Sequence, residues 1–509
     1  MMRSSFLIFI LAGIASTACS KKNSPQGDNK PDVRQNTFYV SPSGNDAAAG
    51  TLAAPLRGIN TALAKASPGD TVIVRTGKYY EKVVFPRSGR QDKYITLKAY
   101  PGEKPVIDGT GLSITGKEAL VTIRNASYVV FEGFDVCNYI SSTPWVNING
   151  IVADEGSSHI IIRKNKVYNI EHNVAPADGR SGHGIEIIGN TGTPMTDVLV
   201  EENEIHDCNT GYSENLTING YVDGFIIRRN KIYNAENIGI DAAGGYAANP
   251  NPAFNYARNG LITENELYDI NMTTGPIGGI HGHGAIAIYV DGARNIIVER
   301  NRVRDCDRGI GIVSETDAFP TSDCIVRNNV VANCYRTGIY LGGYLGYTGG
   351  GTRNSYVVNN TLYQNNRENG AYGEIEGELR MTEHCIDNVI VNNLVYARPV
   401  DLMFHKYTST GSGNEIDYNL YFTTGTPGWI WNTTNGTPYT DFNAWKTASG
   451  VDAASVFGLD PKLAADMSLQ SGSPAKDAGK VIGAEIQGTL DVNGNPRIVG
   501  NKISIGASQ

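Results

Sequence analysis

Residues 160–168 read IIIRKNKVY, and the same phrase returns along the chain: an apolar pair, a polar step, Asn, any residue, an aliphatic and often Tyr. It recurs as VLVEENEI (198–205), FIIRRNKIY (225–233), LITENELY (261–268), IIVERNRV (296–303), IVRNNVV (325–331), YVVNNTLY (356–363) and VIVNNLVY (389–396). The asparagines of these eight copies, Asn165, Asn203, Asn230, Asn265, Asn301, Asn329, Asn360 and Asn393, are spaced 38, 27, 35, 36, 28, 31 and 33 residues apart. A constant core carrying loops of variable length produces such spacing, and solenoids gather those loops on one face. Apolar positions alternate with period two, and no helical period occurs between copies. The chain therefore reads as all-β, a right-handed parallel β-helix whose like residues stack in columns about 4.8 Å apart. The Asn column is expected at a tight turn, because Asn tolerates the left-handed conformation and its amides can bond along the stack. Five residues on stand Ile170, Cys208, Ala235, Ile270, Cys306 and Cys334. This column reads as inward-facing, which makes Cys208, Cys306 and Cys334 core filler rather than disulfide or zinc partners.

A solenoid needs its open ends covered. Ile59, Ala62, Leu63 and Ala66 mark one face of a short capping helix, broken by Ser67-Pro68-Gly69 and followed by a strand over 71–75. The opening, TFYVSPSGNDAAAGTLAAPLRGINTALAKASPGDTVIV (37–74), resembles that of bacterial β-helix polysaccharide lyases and hydrolases. The end, with FGLDPKL (457–463), SGSPAKDAG (471–479), DVNGNPR (491–497) and ISIGA (503–507), is similar to the closing coils of Bacteroidota members of that group. The expected organisation is a β-helix over 37–430 and closing coils with a cap over 431–509, all one domain. Before it, 1–18 has the layout of a secretory signal: Arg3, an apolar run over 6–14 too short to span a bilayer, then small residues ending at Cys19. That ending resembles a bacterial lipobox, which implies lipid on Cys19, a flexible tether over 19–36 and an outer-membrane lipoprotein facing periplasm or cell surface.

With 18% charged residues and a formal charge of −8, the chain is not built to bind polyanions, and nucleic acid is not expected as a partner. The candidate chemistry lies on a second strand of each coil: GIEII (184–188), GIDAA (239–243), AIYVD (287–291), GIVSE (311–315) and GIYLG (338–342). Aligned on the Gly-Ile or Ala-Ile step, one outward column holds Glu186, Asp241, Tyr289 and Tyr340, and the next outward position holds Asp291 and Glu315. Carboxylates on adjacent rungs would have the separation of a retaining glycosidase pair, about 5 Å. Aligning Gly309-Ile310 instead of Gly311-Ile312 would shift Glu315 by two residues and widen the gap. An Asp ending one strand and a Glu ending the next resembles the arrangement in β-helix β-xylosidases and α-L-fucosidase-type hydrolases. That resemblance implies Asp291 as nucleophile, Glu315 as general acid/base and Asp241 as an assisting group.

Around this column the expected substrate contacts are His281 and His283 in GGIHGHG, with His183 in a similar spot, together with Glu186, Tyr289, Tyr340 and Arg258. Tyr246, Tyr256, Tyr344, Tyr347, Trp429 and Trp431 are candidate sugar platforms. Loops at 243–260, 270–284 and 342–354 are expected to wall a pocket. The partner is then a carbohydrate, the chain is expected to be a monomer, and no cofactor is needed. The rival reading is a polysaccharide lyase, for which calcium at Asp241, Asp291 and Glu315 would offset a uronate's charge. No Lys occurs between Lys231 and Lys406, which weakens that reading. A non-catalytic glycan-binding module would show regular coils without these long loops.

Overall fold

A computed structural model describes residues 35–175, 178–273, 282–344, 350–368 and 376–509. The signal segment with Cys19, together with His281 and Tyr347, lies outside the described residues. Asn36–Gln509 form one compact unit. Its strands stack in three parallel sheets, of 16, 12 and 13 described strands, and each coil of the right-handed β-helix contributes one strand to each sheet in turn. One continuous apolar core runs through the coils, from Val40 to Trp445.

The expected cap is present: the helix Ile59–Lys65 turns Ile59, Ala62 and Leu63 inward, and the strand after it is Thr71–Val74. The inward column also holds. Cys208 pairs in register with Ala235, and Ala235 with Ile270. All six described cysteines are buried and free, Cys208, Cys306 and Cys334 among them.

The asparagine column is buried and hydrogen-bonded from coil to coil. Asn165 Nδ2 donates to Asn203 Oδ1 at 3.1 Å, and the same bond repeats through Asn230, Asn265, Asn301, Asn329, Asn360 and Asn393 to Asn419. Its backbone differs from the expectation. The left-handed residue is the one before each Asn: Lys164, Glu202, Arg229, Glu264, Arg300, Asn328, Asn359 and Asn392, with φ between 53° and 59°. The preceding residue turns the corner, and this frees the Asn amide to point inward along the stack. A second left-handed column sits four residues on, at Asn169, Asp207, Asn234, Asp269, Asp305, Asn333 and Gln364. There Asx residues, which tolerate this conformation, dominate.

The sheet of 12 strands carries the site, and its register corrects the alignment of the Gly-Ile step. Ile185, Leu216, Ile240, Ile288, Ile310 and Ile339 form one column. The aligned step is thus Gly309-Ile310, not Gly311-Ile312. A coil also stands between those of Glu186 and Asp241: the strand Glu214–Gly220, whose Asn215-Leu216 replaces the Gly-Ile step. The outward column is therefore Glu186, Thr217, Asp241, Tyr289, Gly311, Tyr340 and Arg380. Gly311 is required where it stands, because a Cβ there would meet Tyr340 Cζ at 2.7 Å and Tyr289 Cδ2 at 2.9 Å.

Candidate active site

The outward face of this sheet is covered rather than solvated: every residue of the strand Ile286–Asp291 is buried. Loop residues and strand side chains form a half-open cavity of about 580 Å³ lined by Glu186, Glu214, Asp241, Asp291 and Glu315, with His183, Tyr246, Tyr289, Arg308 and Tyr344 around them. The expected loops supply Tyr246, Met272, Gly284 and Tyr344 to its wall.

Asp241, Asp291 and Glu315 come from three successive coils, as the spacing implied, but along a diagonal. Asp241 pairs with Tyr289, and Asp291, two residues further along its strand, pairs with Val313. Glu315 follows the last strand residue, Ser314, whose hydroxyl donates to Thr316 O and Phe319 O and so bends the chain. That bend undoes the two-residue slip. The Glu315 N–H donates to Asp291 Oδ1 at 2.9 Å, and the Tyr246 hydroxyl is bonded to both Asp291 Oδ2 and Glu315 Oε2, the latter at 3.1 Å. Two carboxylate oxygens sharing one hydroxyl lie no more than about 6 Å apart. Tyr289 completes the pair by donating its hydroxyl to Glu315 Oε1 at 2.8 Å.

Burial foremost, then the Glu315 charge, pushes the Asp291 carboxyl well above the usual carboxylate range, against the bonds donated by Tyr246 and the Glu315 N–H. Asp241 is raised by burial and then by Glu214, Asp291 and Glu315. A wall of close carboxylates cannot stay fully ionised, and protons are shared among them. His183 is bonded through Nδ1 to Asn149 Oδ1 at 2.9 Å and through Nε2 to Glu214 Oε2 at 3.1 Å. Its burial opposes protonation, but Glu186 and Glu214 outweigh it, and the imidazole is shifted above its ordinary value. Glu186 is paired with Lys117 at 2.7 Å.

Other expected contacts lie elsewhere. His283 is packed in the wall, with Nδ1 on Asp307 at 2.5 Å, Nε2 on Glu368 at 2.8 Å and its ring stacked on Tyr335. Both nitrogens are therefore committed. Arg258 belongs to a different sheet, where its guanidinium covers the Tyr256 ring at 3.6 Å and bonds Tyr256 O. Tyr340 is buried beside a second, smaller cavity, and Trp429 is in the core. Among the described residues no group of three or more His, Cys, Asp or Glu side chains converges as metal ligands would. Asp291 and Glu315 direct their oxygens to Tyr246, Tyr289 and a backbone N–H, so the trio named for calcium is not arranged as a coordination shell.

One group in the wall, Glu214, escaped the sequence reading, and another, Tyr246, was expected only as a sugar platform. Glu214 lies on the coil without a Gly-Ile step; the short interval of 27 residues between Asn203 and Asn230 hides a complete coil and was the available signal. Tyr246 comes from a loop outside the register, and nothing in its sequence marked its hydroxyl.

Residues 38–231 match the family described as Pel9A-like, right handed beta helix region. The chain is 32% identical over 446 residues to the uncharacterized protein YwoF of Bacillus subtilis (strain 168), covering 86% of this chain and 92% of that one. It is 38% identical over 98 residues to pectate lyase PEL9 of Emericella nidulans, 19% of this chain and 24% of that one. Among solved structures, XylC in complex with xylose superposes with a TM-score of 0.48 at 13% identity, over 92% of this chain and 98% of that one. The chain thus carries a Pel9A-like right-handed β-helix region over residues 38–231 and, matched along 92% of YwoF at 32% identity, belongs to the same family as that protein.

Proposed function

We propose that the protein is a carbohydrate-active enzyme, a glycoside hydrolase acting at the cell envelope, with Asp291 and Glu315 as its catalytic pair. One observation carries this reading: a single hydroxyl, that of Tyr246, is bonded to both carboxylates in the wall of a half-open cavity. Their separation, at most about 6 Å, suits a retaining double displacement better than inversion, which needs room for a water and about 6.5–9.5 Å. One carboxylate attacks the anomeric carbon while the other gives its proton to the departing glycosidic oxygen. A water then loses its proton to the second group, attacks the same carbon and releases the sugar from the first. Burial and the neighbouring Glu315 charge favour the protonated form of Asp291.

The 98-residue similarity to a pectate lyase favours elimination as the second reading. Elimination needs a base at the carbon alpha to a uronate carboxylate, and a cation to stabilise the resulting charge. The cavity presents five carboxylates, and the arginine in its lining, Arg308, is paired with Glu376. A glycan panel separates the two: new reducing ends without ultraviolet absorbance of a double bond support hydrolysis, whereas that absorbance, abolished by a calcium chelator, supports elimination. Asp291→Asn and Glu315→Gln are each expected to lower kcat at least a hundredfold; full activity in either would remove the pair from the mechanism.

A further inference from the structure

The part of the cavity away from the catalytic pair is built from buried polar atoms that lack a partner. Glu186, Thr217 and Asp241 occupy one outward column on three successive strands. They are 4%, 2% and 3% exposed. Among the described residues, Glu186 Oε2, Asp241 Oδ1 and Asn219 Oδ1, all three in the cavity lining, have no hydrogen-bond partner, and neither does Thr217 Oγ1 on the strand between Glu186 and Asp241. Three successive rungs span about 10 Å. Buried polar atoms are normally bonded, so an orphaned row along a cavity wall marks a place where a ligand or water supplies the missing groups.

The chemistry of the row restricts that ligand. Carboxylate and amide oxygens accept hydrogen bonds, so the ligand must donate several. It must also bring no negative charge, since Glu186, Glu214, Asp241, Asp291 and Glu315 share the same walls. The basic groups described around the cavity are already paired: His183 with Glu214, Lys117 with Glu186, and Arg308 with Glu376 at 3.2 Å. Arg380, also on Glu376 at 2.6 Å, lines with Arg308 a separate cavity of only about 120 Å³. Residues 274–281, 345–349 and 369–375 contain neither Lys nor Arg.

Taking Asp291 and Glu315 as the hydrolytic pair, we infer that Glu186, Asp241 and Asn219 form a binding subsite for the uncharged, hydroxyl-rich portion of the glycan. The same row excludes uronates. Neutral sugar hydroxyls donate to the orphaned oxygens, whereas a uronate would bring a further carboxylate to a wall that already holds five, where like charges repel.

The test uses two measurements on the full chain. Binding of the Asp291→Asn variant is read on immobilised neutral oligosaccharides (xylan-, glucan- and galactan-derived) and uronate ones (galacturonan- and alginate-derived), and the wild type is assayed for turnover on the same panel. Binding confined to neutral glycans is expected. Glu186→Ala and Asn219→Ala, added singly to Asp291→Asn, should each weaken that binding about tenfold with the melting temperature held; affinity within twofold of the parent in both would overturn the subsite. Binding to uronate glycans, or to no neutral glycan, also overturns it. Hydrolysis of a uronate glycan by the wild type would sink this inference and leave the hydrolase reading intact, whereas elimination products would sink both. A neutral glycan that binds but is never hydrolysed by the wild type would keep the subsite and remove the hydrolase reading.

Discussion

Replacing Asn265 by Ala removes one rung of the buried ladder. The amide donates to Asn301 Oδ1 at 3.0 Å and Ile227 O at 3.1 Å, and accepts from Asn230 N at 2.9 Å and Asn230 Nδ2 at 3.1 Å. At about 1 kcal/mol net for each bond, the four together stabilise the corner by roughly 4 kcal/mol. Asn230, 1% exposed, is left with a backbone N–H whose partner is gone, which costs a further ~1–3 kcal/mol. The expected loss is therefore about 5–7 kcal/mol, and it should be local, because each coil of a solenoid contacts only its neighbours. Hydrogen exchange read by mass spectrometry resolves this: peptides covering 225–233 and 261–268 should lose protection, while 389–396 keeps it. A loss below about 1 kcal/mol in those two peptides would mean that the ladder is dispensable and the corner rests on sheet hydrogen bonds alone.

Tyr246→Phe removes the hydroxyl shared by Asp291 and Glu315. Hydrogen bonds to charged groups are worth about 1.5–3 kcal/mol, so kcat/KM should fall about 10- to 100-fold. Because the Tyr246 bond favours the ionised form of Asp291, the Asp291 limb of the pH profile should move to higher pH; unchanged limbs would deny the contact a role. Near the C-terminal end, Asp452 is buried beside Trp445 and its carboxyl is pushed up to about 6 by burial. A folded value above the unfolded one, near 3.8, stabilises fully below pH 3.8, and that contribution is lost as pH rises through 6. The closing coils should thus be on the order of 2–3 kcal/mol more stable at pH 4 than at pH 7, and Asp452→Asn should flatten the difference; equal slopes in wild type and variant would refute it. Burial pushes the Cys208, Cys324 and Cys385 thiols up to about 12, so none of the six described cysteines should react with a thiol reagent until the chain is unfolded in guanidinium. Rapid labelling of the native protein would contradict their placement.

The coils, the cap and the inward cysteine column were legible in the sequence because each is written locally and repeated. An asparagine that must bond the next asparagine recurs once per turn, and apolar alternation marks which side chains face in. The same ruler put Asp241, Asp291 and Glu315 on successive coils. It failed at the step between Gly309 and Gly311, since a shift of two residues preserves side-chain parity and leaves the pattern equally satisfied. It also passed over Glu214, whose coil packs Leu216 where its neighbours have Ile after Gly.

The sequence by itself determined the solenoid, the stacking of its asparagines and the group of acids facing outward, because those properties depend on residue type and spacing along the chain. Only the tertiary structure decided that Glu315 bends back onto Asp291, that Tyr246 joins the two, and that His283 and Arg258 turn to other partners. Those contacts form between loops and strands of different coils. They are set by how the turns close over the sheet, which no repeat along the chain records.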